Sequence, residues 1–227
     1  MRSYIDATAP IAAQAILTDD PKGAMDLATA LCEKPRMSNL AHGLWGYGGT
    51  THGGSELTIQ SLGIGGPSAA AVLSDLADLG VKRAIRIGPC IALDPSLALG
   101  AVLVASRIEA ADGLGAALAA QGFEPVPDAS LTSALVDATS GTAVTVASVD
   151  LPENGRNLTG TASAFDLSSG AALAAGARSG VRIACALVVG EITSGERLEP
   201  EQLPQSIIAL GERAAEALNV CDQAPGA

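Results

Sequence analysis

Short apolar runs alternate with longer amphipathic stretches along the chain, and this alternation predicts a domain built from both strands and helices. Strands are predicted at residues 12–17, 81–88, 99–108, 143–149, 162–167 and 181–189. Helices are predicted at residues 21–32, 67–80, 113–121, 128–139, 168–179 and 200–218. The Gly-rich segment around residues 52–55 separates two further apolar runs and predicts a β-hairpin.

Two of the predicted strands, at 83–88 and 181–189, are apolar on both faces. Such strands lie in the middle of a sheet that is covered by helices on both sides. No linker, internal repeat or low-complexity block divides the chain. The pattern therefore predicts one three-layer α/β/α domain over residues 1–227, with a frayed tail at 219–227.

The composition narrows the class of protein further. Hydrophobic residues make up 48% of the 227 residues but aromatic residues only 2%, so the core must consist of Ala, Val, Leu and Ile. The formal net charge is −11, which disfavours DNA or RNA as a partner. No run reaches the ~20 apolar residues of a membrane span. We therefore predict a protein that binds a small molecule, with no nucleic-acid or membrane partner.

The four cysteines, at 32, 90, 185 and 221, form no C-x-x-C pair. With only His42 and His52 as histidines, no metal-ligand spacing occurs, so no metal site is predicted. The N-terminus lacks the basic start, long apolar run and cleavage site of a signal peptide. These features predict reduced thiols and a cytoplasmic location.

The glycine-rich run GIGGPS, at 63–68, could be taken for a dinucleotide-binding fingerprint. Its sixth position is Ser68, and the acidic residue expected about 20 positions later is missing. The run therefore predicts a tight turn into a helix, and no nicotinamide cofactor is expected.

Longer segments of the chain resemble the nucleoside phosphorylase family, in the branch of hexameric purine nucleoside and uridine phosphorylases. The resemblance covers nearly the whole chain in order. The segments that carry it are LTDDPKGA, HGLWGYGGT, SLGIGGPSAAAVLSDLADLGVKRAIRIGPCIALDP and AFDLSSGAALAAGARSGVRIACALVVGEITSGERL. It implies a mixed, partly barrel-like central sheet, subunits assembled as dimers or hexamers, and a nucleoside-like ligand. No cofactor is implied beyond phosphate as a co-substrate.

The resemblance implies a phosphate site that is much altered in this chain. Arg86 stands where the family keeps a phosphate-binding arginine. Asp19 replaces the glycine of a Gly-Asp-Pro turn, Gly23 replaces an arginine, and His42 replaces a second arginine that a neighbouring subunit donates. Pro89 replaces a hydroxyl or thiol contact and has no amide donor. Because two unit charges ~4 Å apart repel by about 4 kcal/mol at an effective dielectric of ~20, Asp19 disfavours ordinary phosphate binding.

The implied sugar site is altered as well. The family's V-E-M-E-like motif, whose last glutamate holds the ribose hydroxyls, corresponds here to Phe165, Asp166, Leu167 and Ser168. Ile64 stands where a methionine contacts the ribose. Tyr4 replaces a histidine that reaches the 5′-hydroxyl across the subunit interface.

At the implied base site, Glu191 takes the place of the aspartate that protonates the leaving base. Ile91 replaces a glycine beside Cys90 and would narrow the site, and Pro152 replaces an aromatic stacking residue. Other interpretations stay open, since Arg86 could be a structural ion-pair residue and Glu191 a surface or capping carboxylate. Asp19, Asp166 and Ser168 could likewise serve only in turns and helix caps.

Three functions follow from these residues. The first is cleavage of an N-glycosidic bond by phosphorolysis, with Arg86 binding the anion and Glu191 acting as the acid. The second is the same cleavage by water, activated by Asp19 or Glu191. The third is a relative that binds a ligand without turnover.

Overall fold

The computed structural model describes residues 4–222. The strands are β1 (Gln14–Thr18), β2 (Cys32–Asn39), β3 (Gly46–Thr51), β4 (Glu56–Ser61), β5 (Arg83–Ala92), β6 (Val102–Ala110), β7 (Thr142–Ser148), β8 (Ala164–Asp166) and β9 (Arg182–Ile192). The helices are α1 (Pro21–Leu31), α2 (Gly66–Asp78), α3 (Gly113–Ala119), α4 (Ala129–Thr139), α5 (Pro152–Arg156), α6 (Ser169–Ser179) and α7 (Gln202–Asp222). A short 3-10 turn covers Ala41–Gly43.

The strands form one mixed sheet in which part of the sheet closes on itself. The open part has the order β2-β3-β4-β1-β5. Strand β5 then pairs with both β8 and β9, and β7 and β6 complete a ring in the order β5-β8-β7-β6-β9. The fold class predicted from the sequence, an α/β protein with a mixed, partly barrel-like central sheet, is confirmed.

Alternate residues of the central strands enter two separate cores. On β9, Cys185 and Leu187 pack into the core beneath α2, α3 and α6, whereas Ala184 and Ala186 pack beneath α1, α4 and α7. Strand β9 is therefore buried on both faces, as its continuous apolar run predicts. The small side chains let helices approach both sides of the sheet closely.

The sequence pattern misses two elements. Strand β2 is an edge strand whose charged residues and Pro35 show no apolar alternation, so nothing in the pattern marks it. Helix α5 spans only five residues, which is too short for a helical period.

Several predicted boundaries also differ from the structure. Strands β5 and β9 continue past the predicted ends, to Ala92 and Ile192, because each has the other as a partner along its length. Helix α7 continues to Asp222, so residues 219–222 of the predicted frayed tail are helical. Residues 223–227 lie outside the described residues.

Candidate active site

A cavity of ≈ 480 Å³ lies where β1, β8 and β9 end, beside the middle of β5. This volume is typical of small-molecule sites, which range over about 300–1,000 Å³. Apart from Tyr4 and His42, every site residue predicted from the sequence lines it: Asp19, Ile64, Arg86, Pro89, Cys90, Ile91, Phe165, Asp166, Leu167, Ser168 and Glu191. Neighbouring strand ends thus bring together residues that are far apart in the sequence.

Arg86 lies at the buried end of the cavity, with a side chain that is 1% exposed. Its Nη2 donates to Asp19 Oδ2 at 2.6 Å and to Ser168 Oγ at 2.9 Å. Asp166 Oδ2 lies 3.1 Å from the same nitrogen. The Ser168 hydroxyl in turn donates to Asp19 Oδ1 at 2.9 Å. Both oxygens of Asp19 are therefore engaged with residues of the chain itself.

This end of the cavity holds two carboxylates against one guanidinium. Burial alone lowers the pKa of Arg86, but Asp19 and Asp166 outweigh it and the pKa is raised, so the guanidinium stays charged. Burial raises the pKa of Asp166, although Arg86 and Ser169 act in the opposite direction. The site around Arg86 therefore does not present a surplus of positive charge to an anion.

Asp166 is held in place by Ser169, which also contacts Cys185. Ser169 Oγ donates to Asp166 Oδ2 at 2.6 Å, and the same hydroxyl lies 3.1 Å from Cys185 Sγ. Burial raises the pKa of the Cys185 thiol to about 11 and also raises the pKa of Cys90. Both thiols are thus protonated near neutral pH and act as packing groups rather than as nucleophiles.

Glu191 lies at the other end of the cavity and is held by two arginines. Arg156, on α5, donates to Glu191 Oε1, and Arg197 Nε lies 2.7 Å from Glu191 Oε2. The Glu191 side chain is 11% exposed, whereas that of Arg197 is 70% exposed. This end therefore holds two guanidiniums against one carboxylate, the reverse of the balance at Arg86.

Apolar side chains form most of the wall between the two charged ends. Phe165 and Leu167 from the β8 region face the cavity together with Ile91, Leu198 and Leu203. Ile91 and Pro152, which the sequence suggests could narrow the site, are part of this wall and leave the space open. A ligand with a flat apolar body and polar groups at both ends fits this arrangement.

Tyr4 and His42 lie away from this cavity. Their rings contact one another in a tilted arrangement, with centroids 5.5 Å apart and planes inclined by 54°. His42 has a φ of 56°, a left-handed backbone conformation in the turn before β3. The prediction that these two residues contact ligand in a neighbouring subunit's site stays a prediction.

Arg156 and Arg197 are functional candidates that the sequence alone does not single out. Arg156 is the last residue of a five-residue helix and Arg197 lies in a loop, so neither belongs to a recognisable motif. The only signal in the sequence is that Arg197 follows β9, whose end lies at the site. The structure makes them candidates because both form ion pairs with Glu191.

The protein is thus an α/β protein with a cleft at the ends of its sheet strands and an arginine–carboxylate cluster at each end of the cleft. Clefts in this position of an α/β sheet bind small ligands. A model of the phosphorylase superfamily matches residues 14–220. The chain belongs to this superfamily, which confirms the resemblance found in the sequence.

Three curated relatives show the range of similar proteins. A uridine phosphorylase of Salmonella typhimurium is 34% identical over 124 residues, which is 55% of this chain and 48% of the relative. A DeoD-type purine nucleoside phosphorylase of Oceanobacillus iheyensis is 32% identical over 96 residues, 42% of this chain and 40% of the relative. A guanosine phosphorylase of Halorubrum lacusprofundi is 31% identical over 126 residues, 55% of this chain and 51% of the relative. The aligned part of this chain thus spans about half the length of each relative or less.

Two further observations concern metals and membranes. Within residues 4–222, no three His, Cys, Asp or Glu side chains are grouped so that they could hold a metal ion. None of the helices in this part of the chain has the length and apolar character needed to cross a membrane. The four cysteines, which all lie in the described part, form no disulfide.

Proposed function

We propose that the protein cleaves the N-glycosidic bond of a nucleoside bound in the cavity between Arg86 and Glu191. When this bond breaks, the electron pair leaves with the base, and the sugar acquires the positive charge of an oxocarbenium ion. The reaction therefore needs negative charge beside the sugar and positive charge beside the base. Membership of the phosphorylase superfamily supports this reaction class.

The observation that carries the proposal is the opposite charge balance at the two ends of one cavity. Asp19 and Asp166 outnumber Arg86 at one end. At the other end Glu191 is outnumbered by Arg197, which lines the cavity, and Arg156, which contacts Glu191 without lining the cavity. A sugar at the first end and a base at the second match this polarity. Fixed charges in a cleft with apolar walls act more strongly than the same charges in water.

Glu191 and its two arginines would serve the leaving base. One carboxylate oxygen of Glu191 accepts a hydrogen bond from Arg156 and the other forms an ion pair with Arg197, so the cluster can accept an N–H of the base while the arginines stabilise negative charge on its ring. As the carbon–nitrogen bond breaks, its electron pair moves onto the base, which would take a proton from a water molecule, with the Glu191 carboxylate relaying it. Ser168, whose hydroxyl faces the sugar end, would bind a ribose hydroxyl.

Phosphate is the acceptor that the relatives' names suggest. In this version a phosphate oxygen forms the new bond to the anomeric carbon, the carbon–nitrogen bond breaks, and the products are a sugar 1-phosphate and the free base. Arg86 would bind the phosphate. A homo-oligomer in which Tyr4 and His42 complete a neighbouring subunit's site is part of the same proposal, as is a cytoplasmic location, which the unpaired cysteines support.

Water is a second candidate acceptor, and one observation favours it. The guanidinium of Arg86, which would bind phosphate, already donates from Nη2 to Asp19 Oδ2 at 2.6 Å. In this version a water oxygen forms the bond to the anomeric carbon and gives its proton to Asp19. The products are then the free sugar and the base.

A nucleoside panel tests both versions. The purified protein is incubated with uridine, inosine, guanosine and adenosine, with and without phosphate, and the base and sugar products are separated and quantified. Base release that requires phosphate and yields a sugar 1-phosphate supports phosphorolysis, and base release of equal rate without phosphate supports hydrolysis. Binding of a nucleoside without release of base in either buffer would contradict both and would favour a ligand-binding protein.

A further inference from the structure

Asp19 occupies the position at Arg86 that an oxyanion ligand would take. Its Oδ2 accepts from Arg86 Nη2 at 2.6 Å, and its Oδ1 accepts from Ser168 Oγ at 2.9 Å. A carboxylate that spans a guanidinium and a hydroxyl makes the contacts through which phosphate is usually bound. The chain therefore supplies its own anion to this site.

The remaining donors of Arg86 offer no second place for an anion. Nε and Nη1 are both buried from solvent and have no hydrogen-bond partner among residues 4–222. Gly88 packs closely against the guanidinium on the adjacent side. A Cβ placed on Gly88 would lie 3.0 Å from Asp19 Oδ2 and from both terminal nitrogens of Arg86, so even one added carbon atom would be crowded there. An oxyanion in the cavity can thus reach the guanidinium only at the edge that Asp19 occupies.

The structure also provides space for the Asp19 side chain to move. A second cavity of ≈ 500 Å³ shares Asp19, Pro89 and Leu203 with the first, so that Asp19 forms part of the wall of both. The Asp19 side chain is 27% exposed, and Lys22 lines the second cavity. A carboxylate turned away from Arg86 would therefore find solvent on that side, where Lys22 pairs with Asp26.

We propose that Asp19 is a built-in competitor for small oxyanions at Arg86, and that phosphate binds only when the Asp19 carboxylate leaves the guanidinium. Asp19 is then the residue that determines whether the site accepts phosphate or excludes it in favour of water. It acts through its contact with Arg86, as a specificity-determining residue. The proposal rests on the proposed function only in taking this cavity as the active site.

Direct binding of inorganic phosphate, without any nucleoside, tests the proposal. We compare the wild type with Asp19→Asn, which keeps the shape and removes the charge, and with Asp19→Ala, which removes the side chain. The matched control is Asp137→Asn, because Asp137 is exposed on α4 and lines neither of the two cavities. Phosphate is titrated by calorimetry, with ionic strength held constant by sodium chloride.

We expect phosphate to bind both Asp19 variants at least about tenfold more tightly than the wild type, because a charge-assisted contact with Arg86 becomes available. The Asp137→Asn control should bind phosphate as the wild type does. Equal affinities of the wild type and the Asp19 variants, or no phosphate binding by any of them, would overturn the proposal. An equal gain in Asp137→Asn would overturn it too, because net charge alone would then explain the effect.

Circular dichroism and thermal unfolding establish that each variant is folded before the titration. If Asp19→Ala fails to fold, the isosteric Asp19→Asn variant decides the outcome. Because no nucleoside is present, a negative result here leaves the nucleoside panel as an independent test of the proposed function. Conversely, a protein without nucleoside turnover can still show the expected gain in phosphate binding.

Discussion

At the scale of single residues, Glu191 has the most direct link to the proposed chemistry. Each of its carboxylate oxygens meets an arginine, and the side chain faces the cavity from the end of β9. The arginines fix the position of the carboxylate, and the carboxylate keeps two like charges together. Removing the carboxylate therefore affects both the binding of the base and the stabilisation of its charge.

We predict that Glu191→Gln lowers the rate of nucleoside cleavage by roughly 10²-fold, the lower end of what a positioned acid or base contributes. The measurement is the rate of base release at saturating nucleoside. Glu196→Gln is the matched control, since Glu196 is exposed and lies outside the cavity. A Glu191→Gln variant within threefold of the control would remove Glu191 from the mechanism.

The sequence predicts the type and location of the important residues but not their pairing. Arg86 and Glu191 are recognisable because each lies in or after an apolar strand whose end faces the site. The contact between Asp19 and Arg86 joins residues 67 positions apart, and the contact between Ser168 and Asp19 joins residues 149 positions apart. Such pairs depend on which strands are neighbours, and local sequence carries no information about that.

At the scale of elements, three helices begin with an aspartate cap, and the caps of α3 and α4 lie in different surroundings. Asp112 caps α3 by accepting a hydrogen bond from Gly115 N at 2.5 Å, and Asp112 is fully buried. Burial raises the pKa of Asp112. Asp128 caps α4, and there hydrogen bonds from Ser130 and Leu131 outweigh partial burial and lower the pKa. The same residue type is therefore expected to have opposite effects on the pH dependence of stability.

We predict opposite pH trends for Asp112→Asn and Asp128→Asn, because Asn caps helices as well as Asp but cannot ionise. The stability that Asp112 contributes is present below the ordinary carboxyl pKa and is lost as pH rises through its raised folded-state value. Relative to wild type, Asp112→Asn should therefore gain stability as pH rises. Asp128 contributes stability above the ordinary pKa that is lost as pH falls, so the deficit of Asp128→Asn should shrink towards low pH.

Urea unfolding at a series of pH values, from about 2 to 7, measures both trends, since the Asp128 effect falls below the ordinary carboxyl pKa and the Asp112 effect above it. Each variant serves as the control for the other, since both replace a helix-capping aspartate by asparagine. Parallel pH profiles for the two variants would contradict the prediction.

At the scale of the whole molecule, the surface near the 3-10 turn of residues 41–43 carries exposed apolar groups. Leu40 is 60% exposed, and Tyr4 is 40% exposed. Ile64, which lines the cavity, is 85% exposed. Large exposed apolar side chains are typical of an interface with another chain, which agrees with the predicted homo-oligomer.

We predict that the protein sediments as a dimer or a larger multiple, and that Leu40→Asp shifts it towards the monomer. Nucleoside cleavage should fall in parallel, because Tyr4 and His42 would no longer reach a neighbouring site. Analytical ultracentrifugation together with the activity assay measures both effects. Val126→Asp provides the control, as Val126 is 69% exposed and lies outside this surface. A wild-type monomer with full activity would disprove the prediction.

The sequence by itself determined the alternation of strands and helices, the burial of β9 on both faces, and membership of the phosphorylase superfamily. The alternation and the burial pattern are local features, because apolar periodicity is encoded within each segment. Membership of the superfamily follows from similarity summed over many segments. The tertiary structure alone decided that β5 pairs with both β8 and β9, that Asp19 lies on Arg86, and that Arg156 and Arg197 meet at Glu191. Those contacts depend on the order in which strands meet, and the charge balance of the site becomes defined only when the sheet has closed.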